Sequence, residues 1–317
     1  MLCVQDALRS FARSEGLDLP LPGSGATWQR FETLACVAAQ DLSLGRLAEG
    51  HSDALAILTE AGMKPLGESA IYGVWAARSR KGGTSAKRVK GGWQLSGQKE
   101  FCSGTGIIDR ALVTSDTIDG YRLFDVSLED NVKGVKENSW PAVGMANSAS
   151  QTLEFGGLIV REEQEVGEPD FYTKRPGFWF GAAGVAACWY GGALGLVNSL
   201  LDSLATMPSD FVLADVGLAV AEIESMRSFL KDTATSIDAD PEDVEKQARF
   251  RALTSRQVVH DAALRVLLLI GTAGGARPLC HDEEQSRRSA DLFVYLAQHH
   301  GGADAAELGR LAITKRQ

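Results

Sequence analysis

Gly91-Gly92-Trp93-Gln94-Leu95-Ser96-Gly97-Gln98-Lys99-Glu100-Phe101-Cys102-Ser103-Gly104-Thr105-Gly106 is the stretch that decides how the rest of the chain is read. The Gly-Gly pair predicts a tight turn. Trp93 to Ser96 alternates apolar and polar, as a half-buried strand does. Gly97 predicts a second turn, Lys99 to Ser103 a second strand, and Gly104-Thr105-Gly106 a small-residue loop. Together these make a hairpin with an open end, where a flat ligand can come close to the backbone because glycine carries no Cβ.

Outward from this stretch, short β-rich runs continue from residue 67 to about 165: 71–77, 93–96, 100–103, 111–115, 121–127, 132–137 and 152–160. Seven short strands separated by turns predict a small barrel or sandwich. Both flanks are helical. On the N-terminal side, residues 2–16, 28–40 and 41–61 have apolar residues at helical spacing, with a Pro-Gly loop at 20–25 and a stop at Gly62. On the C-terminal side, long helices are expected at about 177–205, 210–237 and 242–273. Starts are marked at Ser209-Asp210, at Asp240-Pro241-Glu242-Asp243 and at Asp282-Glu283-Glu284, where acids or proline suit the unpaired amides of a first turn. This gives three parts: 1–66 helical, 67–168 β and 169–317 a helical bundle.

The totals exclude several classes. The chain has 317 residues, 44% of them hydrophobic, enough to bury a large core. Its net charge is −9, which argues against a nucleic-acid partner. Five widely spaced cysteines without a C-x-x-C point away from a disulfide framework or zinc site and toward a reducing, cytoplasmic setting. Pro176 to Leu201 holds no charge and six glycines. It is long enough to cross a bilayer, but it is expected to be a buried bundle helix rather than an inserted one. One basic cluster stands against the acidic background: Arg78, Arg80, Lys81, Lys87, Arg88 and Lys90, with no acid between them. It is read as a loop, either solvated or meeting phosphates, with Lys87 and Arg88 as the phosphate candidates.

The hairpin GWQLSGQKEFCSG, followed by Asp109-Arg110-Ala111-Leu112-Val113, resembles the flavin hairpin of the acyl-CoA dehydrogenase family. Trp140, Gly144-Met145-Ala146-Asn147-Ser148 and Thr152 to Phe155 resemble that family's "W-x-x-x-GMR-x-S-x-T-x-x-x-x-F" segment. Asp41-Leu42-Ser43-Leu44 with His51, the strand Tyr121 to Val126, and Gly274-Gly275 followed by Arg288 and Asp291 add weaker matches. The resemblance implies an α+β fold with an N-terminal helical domain, a central β-barrel domain and a C-terminal four-helix bundle. It implies FAD as cofactor, an acyl thioester as substrate, and a homodimer whose flavin site spans two subunits. It places Phe101 against the flavin's benzenoid edge and Ser103 against its reactive nitrogen, with Gly104, Gly274 and Gly275 beside the cofactor.

The chain departs from that family in four places. The "TEP-x-x-GSD" loop is replaced by Ala76 to Gly83, the "R-x-QFG" segment by Met207-Pro208-Ser209-Asp210, and the arginine of "GMR" by Ala146. The catalytic glutamate is absent from both of its usual positions: Tyr295 to Gly301 reads YLAQHHG, and Pro176 to Leu201 has no acid. Dehydrogenation needs a carboxylate within reach of the proton it removes. Three readings therefore stay open. The main one is an FAD-dependent oxidoreductase acting on an acyl thioester, with an unaligned base such as Glu68 or Glu100. The second is a catalytically inactive scaffold or hetero-oligomer subunit. The third is a flavin-dependent monooxygenase on the same fold, with His299 or His300 as acid-base groups. The competing reading of that histidine pair is that it meets the last carbonyls of a helix.

Overall fold

The computed structural model describes residues 3–16, 19–67, 69–78, 83–128, 134–136, 138–204 and 208–314. By contacts the chain divides into two compact units, each assembled from separate segments. One comprises Met1–Leu19, Leu47–Ala142 and Ala146–Phe178; the other comprises Pro20–Arg46, Val143–Met145 and Trp179–Gln317. Glu68, Arg80 and Lys81 lie outside the described residues.

The first unit is built on one eight-stranded sheet. Its strands are β1 (Tyr72–Trp75), β2 (Thr84–Val89), β3 (Gly92–Cys102), β4 (Arg110–Thr117), β5 (Gly120–Ser127), β6 (Val135–Lys136), β7 (Gln151–Arg161) and β8 (Glu165–Val166). They run in the order β6-β7-β3-β2-β4-β5-β8, with β1 parallel to β4. Among the described residues this path is open at β6 and β8. Helix α1 (Val4–Phe11) and most of α3 (Leu42–Glu60) belong to the same unit. Ala54, Ile57 and Leu58 of α3 meet Tyr72, Leu112, Leu123 and Val166 in a core with no solvent contact to speak of. Buried charges are paired inside it. Asp125 takes hydrogen bonds from Arg110 Nε at 2.7 Å and from the Tyr72 hydroxyl at 3.0 Å. Arg175 donates to Glu60 at 2.7 Å.

Two expectations are corrected here. Gly97 is not a turn: Gly92–Cys102 is one continuous strand, paired with β2 on one side and β7 on the other. Gly97 lies mid-strand at φ +99°, and a Cβ there would run into the Gly83 carbonyl oxygen. It marks close backbone approach, which glycine in a strand signals as readily as a turn. The hairpin turn lies earlier, at Lys90-Gly91, between β2 and β3. For the same reason the basic cluster is not all loop. Lys87 and Arg88 lie on β2, whose buried Thr84 and Ala86 alternate with exposed Ser85 and Lys87.

The second unit is helical: α2 (Thr27–Gln40), α5 (Gly177–Ser203) from Trp179 on, α6 (Asp210–Ala239), α7 (Ala248–Gly274), α8 (Ala276–His281), α9 (Glu283–Leu296) and α10 (Gly302–Thr314). Helix α6 buries Val216, Ala219, Ile223, Met226, Leu230, Thr233 and Ile237, a stripe spaced by threes and fours. Ser209 and Asp282 cap α6 and α9 through their side chains, as the sequence predicts. Helix α7 starts later than expected. Asp240 and Asp243 turn their carboxylates onto the amides of Val244, Glu245, Gln247 and Ala248, so 240–247 is a capping loop and not a first turn.

Helix α5 is the apolar segment. It is long and apolar enough to cross a membrane, and 78% of its most apolar window is buried. Trp189, Ala193 and Leu196 are completely buried. Its glycines serve packing: a Cβ on Gly191 would strike the Ala35 carbonyl of α2, so the two backbones are in close contact.

Candidate functional site

The predicted site begins where β3 ends. Lys99 pairs with Leu153 and Cys102 with Gln151, so Glu100 and Phe101 stand opposite a single β7 residue. A bulge of this kind bends a strand and re-aims a side chain. Phe101 takes φ +60°, a conformation that bulky residues adopt only when their surroundings impose it. Its ring is turned outward and is 58% exposed. Trp140 meets it edge-on, with ring centroids 6.2 Å apart and planes at 84°. The result is a flat aromatic corner at the sheet's end.

Behind Phe101 the backbone is fixed. The Trp75 indole donates to the Ser103 carbonyl at 2.9 Å, the Gly104 amide to the Ser148 carbonyl at 2.8 Å, and the Thr105 amide to the Ala149 carbonyl at 3.2 Å. Ala149 also lies in the left-handed region, at φ +46°. Ser103, Ser150 and Ser148 form a row of buried hydroxyls, with 2.8 Å between Ser103 and Ser150 and between Ser150 and Ser148. Each hydroxyl can donate or accept, so the row can reverse and present either a proton or a lone pair at Ser103.

Beneath the corner lies Lys99, 2% exposed, which donates to the Thr114 carbonyl at 2.7 Å and the Thr114 hydroxyl at 2.8 Å. Burial pulls its ammonium down to about 8, against weaker support from Cys102 and Asp116. Burial pushes the neighbouring Cys102 thiol up to about 12, which makes it inert.

Phe101, Ser103 and Gly104 are thus brought together, as the sequence predicts. Lys87 and Arg88 are not with them. They pair with Gln94 and Trp93, at the far end of β3, roughly 25 Å from Phe101 by strand rise. Arg88 is already engaged: it bonds Glu162 at 3.0 Å and lies 4.5 Å over the Trp93 ring. Trp140, Ser148 and Ser150 complete the corner. Sequence reading passes over them as sites, although Trp140 and Ser148 belong to the segment quoted above and Ser150 lies between its last two pieces.

The histidines belong to the helical unit. The His299 side chain is buried in it, and its ring lies 4.5 Å from that of His260. His299 Nε2 meets Gln257 Oε1 at 2.9 Å, and its Nδ1 is 3.3 Å from Asp304. Burial first, then the charges of His260 and Arg256, hold its pKa below the usual imidazole value, so it stays neutral near pH 7. His300 is exposed on the turn after α9, and its amide faces the Asp304 carboxylate. Spacing alone gives no hint of His260. Gly274 and Gly275 close α7 in the same unit, with Gly275 at φ +62°.

The residues at the β3–β7 corner suit a flavin. Phe101 and Trp140 supply a flat apolar surface, the strained backbone is held from behind, and hydroxyls stand at its base. No known protein-family signature and no curated protein matches the chain. Solved structures do. TdsC from Paenibacillus sp. A11-2, solved with FMN and indole, superposes with a TM-score of 0.80 at 16% identity, covering 98% of this chain and 95% of that one. The fold is that of the acyl-CoA dehydrogenases and their monooxygenase relatives. KijD3, solved with FMN and a dTDP-linked sugar, matches with a TM-score of 0.78 at 16% identity over 99% of this chain and 92% of that one. Methanesulfinate monooxygenase MsuC from Pseudomonas fluorescens matches with 0.75 at 16% identity over 99% and 98%.

Proposed function

We propose that this chain is a flavin-dependent monooxygenase, with Phe101, Trp140 and Ser103 at the flavin ring. The observation that carries the reading is the bulged, strained and exposed Phe101 on a fold shared with FMN-bound proteins, in a chain that lacks the dehydrogenase glutamate. Removing a carbon-bound proton requires a placed general base, which the dehydrogenases supply as that glutamate; transferring an oxygen atom to a sulfide or ring does not begin with that step. The flavin, when bound in reduced form, would supply the two electrons that split dioxygen, one atom going to substrate and the other to water. The chain's own residues would hold the ring flat against Phe101 and donate or accept one hydrogen bond at Ser103. The acyl-thioester reading is the less supported one, and FMN stands beside FAD as the candidate cofactor. Substrate choice is not carried by the fold, which the neighbours use for unlike compounds.

Spectroscopy of the purified chain with FMN and with FAD tests this. Wild type is expected to retain a flavin band near ~450 nm after desalting, and Phe101→Ala to lose most of it. Reduced flavin on the protein is expected to react with dioxygen and to transfer an oxygen-18 label to a test sulfide or indole. Bleaching of oxidised flavin by an acyl-CoA would restore the dehydrogenase reading. A chain that takes up neither flavin would leave the scaffold reading.

A further inference from the structure

The sheet of the first unit leaves a gap between two of its edges. Strand β8 pairs with β5 only at Leu123 and Phe124, and β6 pairs with β7 only at Thr152 and Leu153. Farther along, Val126 and Ser127 on β5 and Leu158 to Val160 on β7 have no outer strand among the described residues. One side chain spans the gap: Gln164 Nε2 donates to the Asp125 carbonyl at 2.8 Å. Around it lie two adjoining cavities of about 360 and about 410 Å³, within the size range of small-molecule sites. Leu66, Arg110 and Ser127 line both, and all the lining residues belong to the first unit.

The two cavities differ in character. The first is walled by Val126, Leu158, Ile159 and Val160, and Ile159 is 53% exposed. The second is polar, with Arg9, Ser69 and Asp109. Arg110 stands where they meet. It donates to Asp125 through Nε at 2.7 Å and through Nη2 at 3.4 Å. A guanidinium carries five N–H donors, and those on Arg110 Nη1 bond no described residue. The carboxylates nearby are already taken. Asp125 is fully buried between Arg110 and the Tyr72 hydroxyl, and Asp109 accepts from both terminal nitrogens of Arg9 and from the Ile71 amide. Neither is left to attract a cation, so the groove offers donors beside an apolar wall. We propose that it binds a small amphipathic carboxylate, the acid group on Arg110 and Ser127 and the apolar body on Ile159 and its neighbours. A planar carboxylate matches the paired N–H groups along a guanidinium edge. The groove is separate from the flavin corner. Leu158 pairs with Leu95 and Arg161 with Gly92, at the end of β3 away from Phe101, and Phe101, Ser103 and Trp140 do not line it. The inference therefore stands whether or not the chain binds flavin.

Titration of the methyl-labelled full chain with 4-butylbenzoate, followed by NMR, tests it. Saturable shifts are expected at the methyl groups of Leu158, Ile159 and Val160, with a dissociation constant of ~1 mM or tighter. 4-Butylbenzyl alcohol has the same body without the charge and should bind about tenfold more weakly. Arg110→Gln should abolish that preference for the acid. Because it also strips Asp125 of its partner, Ile159→Asp serves as a second variant. Its position on an exposed wall should leave the melting temperature unchanged, while like-charge repulsion weakens the benzoate by about tenfold. Phe101→Ala should leave the affinity as it is, which separates this groove from the flavin corner. Equal affinity for acid and alcohol overturns the proposal. So does the lack of a saturable shift, a set of shifts confined to other residues, or binding indifferent to Ile159→Asp.

Discussion

At the scale of single residues, Lys99 shows what burial does to a charge. Among the described residues no carboxylate forms an ion pair with its ammonium, Asp116 acts only weakly from a distance, and its value falls from 10.5 to about 8. A base whose folded value is depressed is bound to its proton more strongly in the unfolded chain. The unfolded state therefore holds the extra proton between about 8 and 10.5, and stability from this group rises with pH across that window. Cys102 works in the opposite direction above its ordinary value, so the two must be separated. Comparing urea stability of wild type with Lys99→Met does so. The wild type is expected to gain on the order of 3 kcal/mol relative to the variant from the lower to the upper end of the window. A constant difference would mean that burial does not depress Lys99 and that it keeps its ordinary value in the folded chain. The sequence shows Lys99 only as one letter of a motif; that its head lies on Thr114, fifteen residues away, depends on strand pairing.

At the scale of elements, legibility follows the range of the interactions. Helix α6 can be read directly, since its cap, its spacing and its end are all local. The β3 strand is read correctly as β but wrongly as two pieces, because a glycine needed for close approach between strands looks the same as a glycine needed for a turn. Strand β2 is overlooked because a basic run suggests solvent; its role as an inner partner of β3 depends on a pairing that spans 3 to 13 residues along the chain. The bulge at Phe101 is likewise invisible, since it is defined by β7. Gly97→Ala tests the strand reading. A Cβ at φ +99° against the Gly83 carbonyl is expected to cost about 2–3 kcal/mol, seen as a lowered urea midpoint. A turn glycine exposed to water would tolerate alanine at a smaller cost.

At the scale of the whole molecule, charge decides which large partners are admitted. The chain carries −9 overall, while its basic residues near β2 are partly spent on Glu162 and Trp93. It is expected to pass through a heparin column at physiological salt, and to be least soluble near its isoelectric point of 5.2. Retention on heparin would mean that the β2 end acts as an anion site in its own right. The candidate site is legible from sequence as far as Phe101, Ser103 and Gly104. The rest is not, since Trp140 reaches Phe101 from a loop thirty-nine residues downstream.

Helix α5 also has a history during synthesis. Its Trp189 is covered by His260 on α7 and Tyr295 on α9, both made later. At ribosomal speed those helices follow after roughly 5–20 s. For that interval a nascent helix apolar enough to enter a bilayer has only α2 from its own unit already made. The chain's yield in a cell should therefore track the supply of ribosome-bound chaperones, and slow codons after residue 203 should divert it toward membranes or aggregates while leaving the finished fold unchanged.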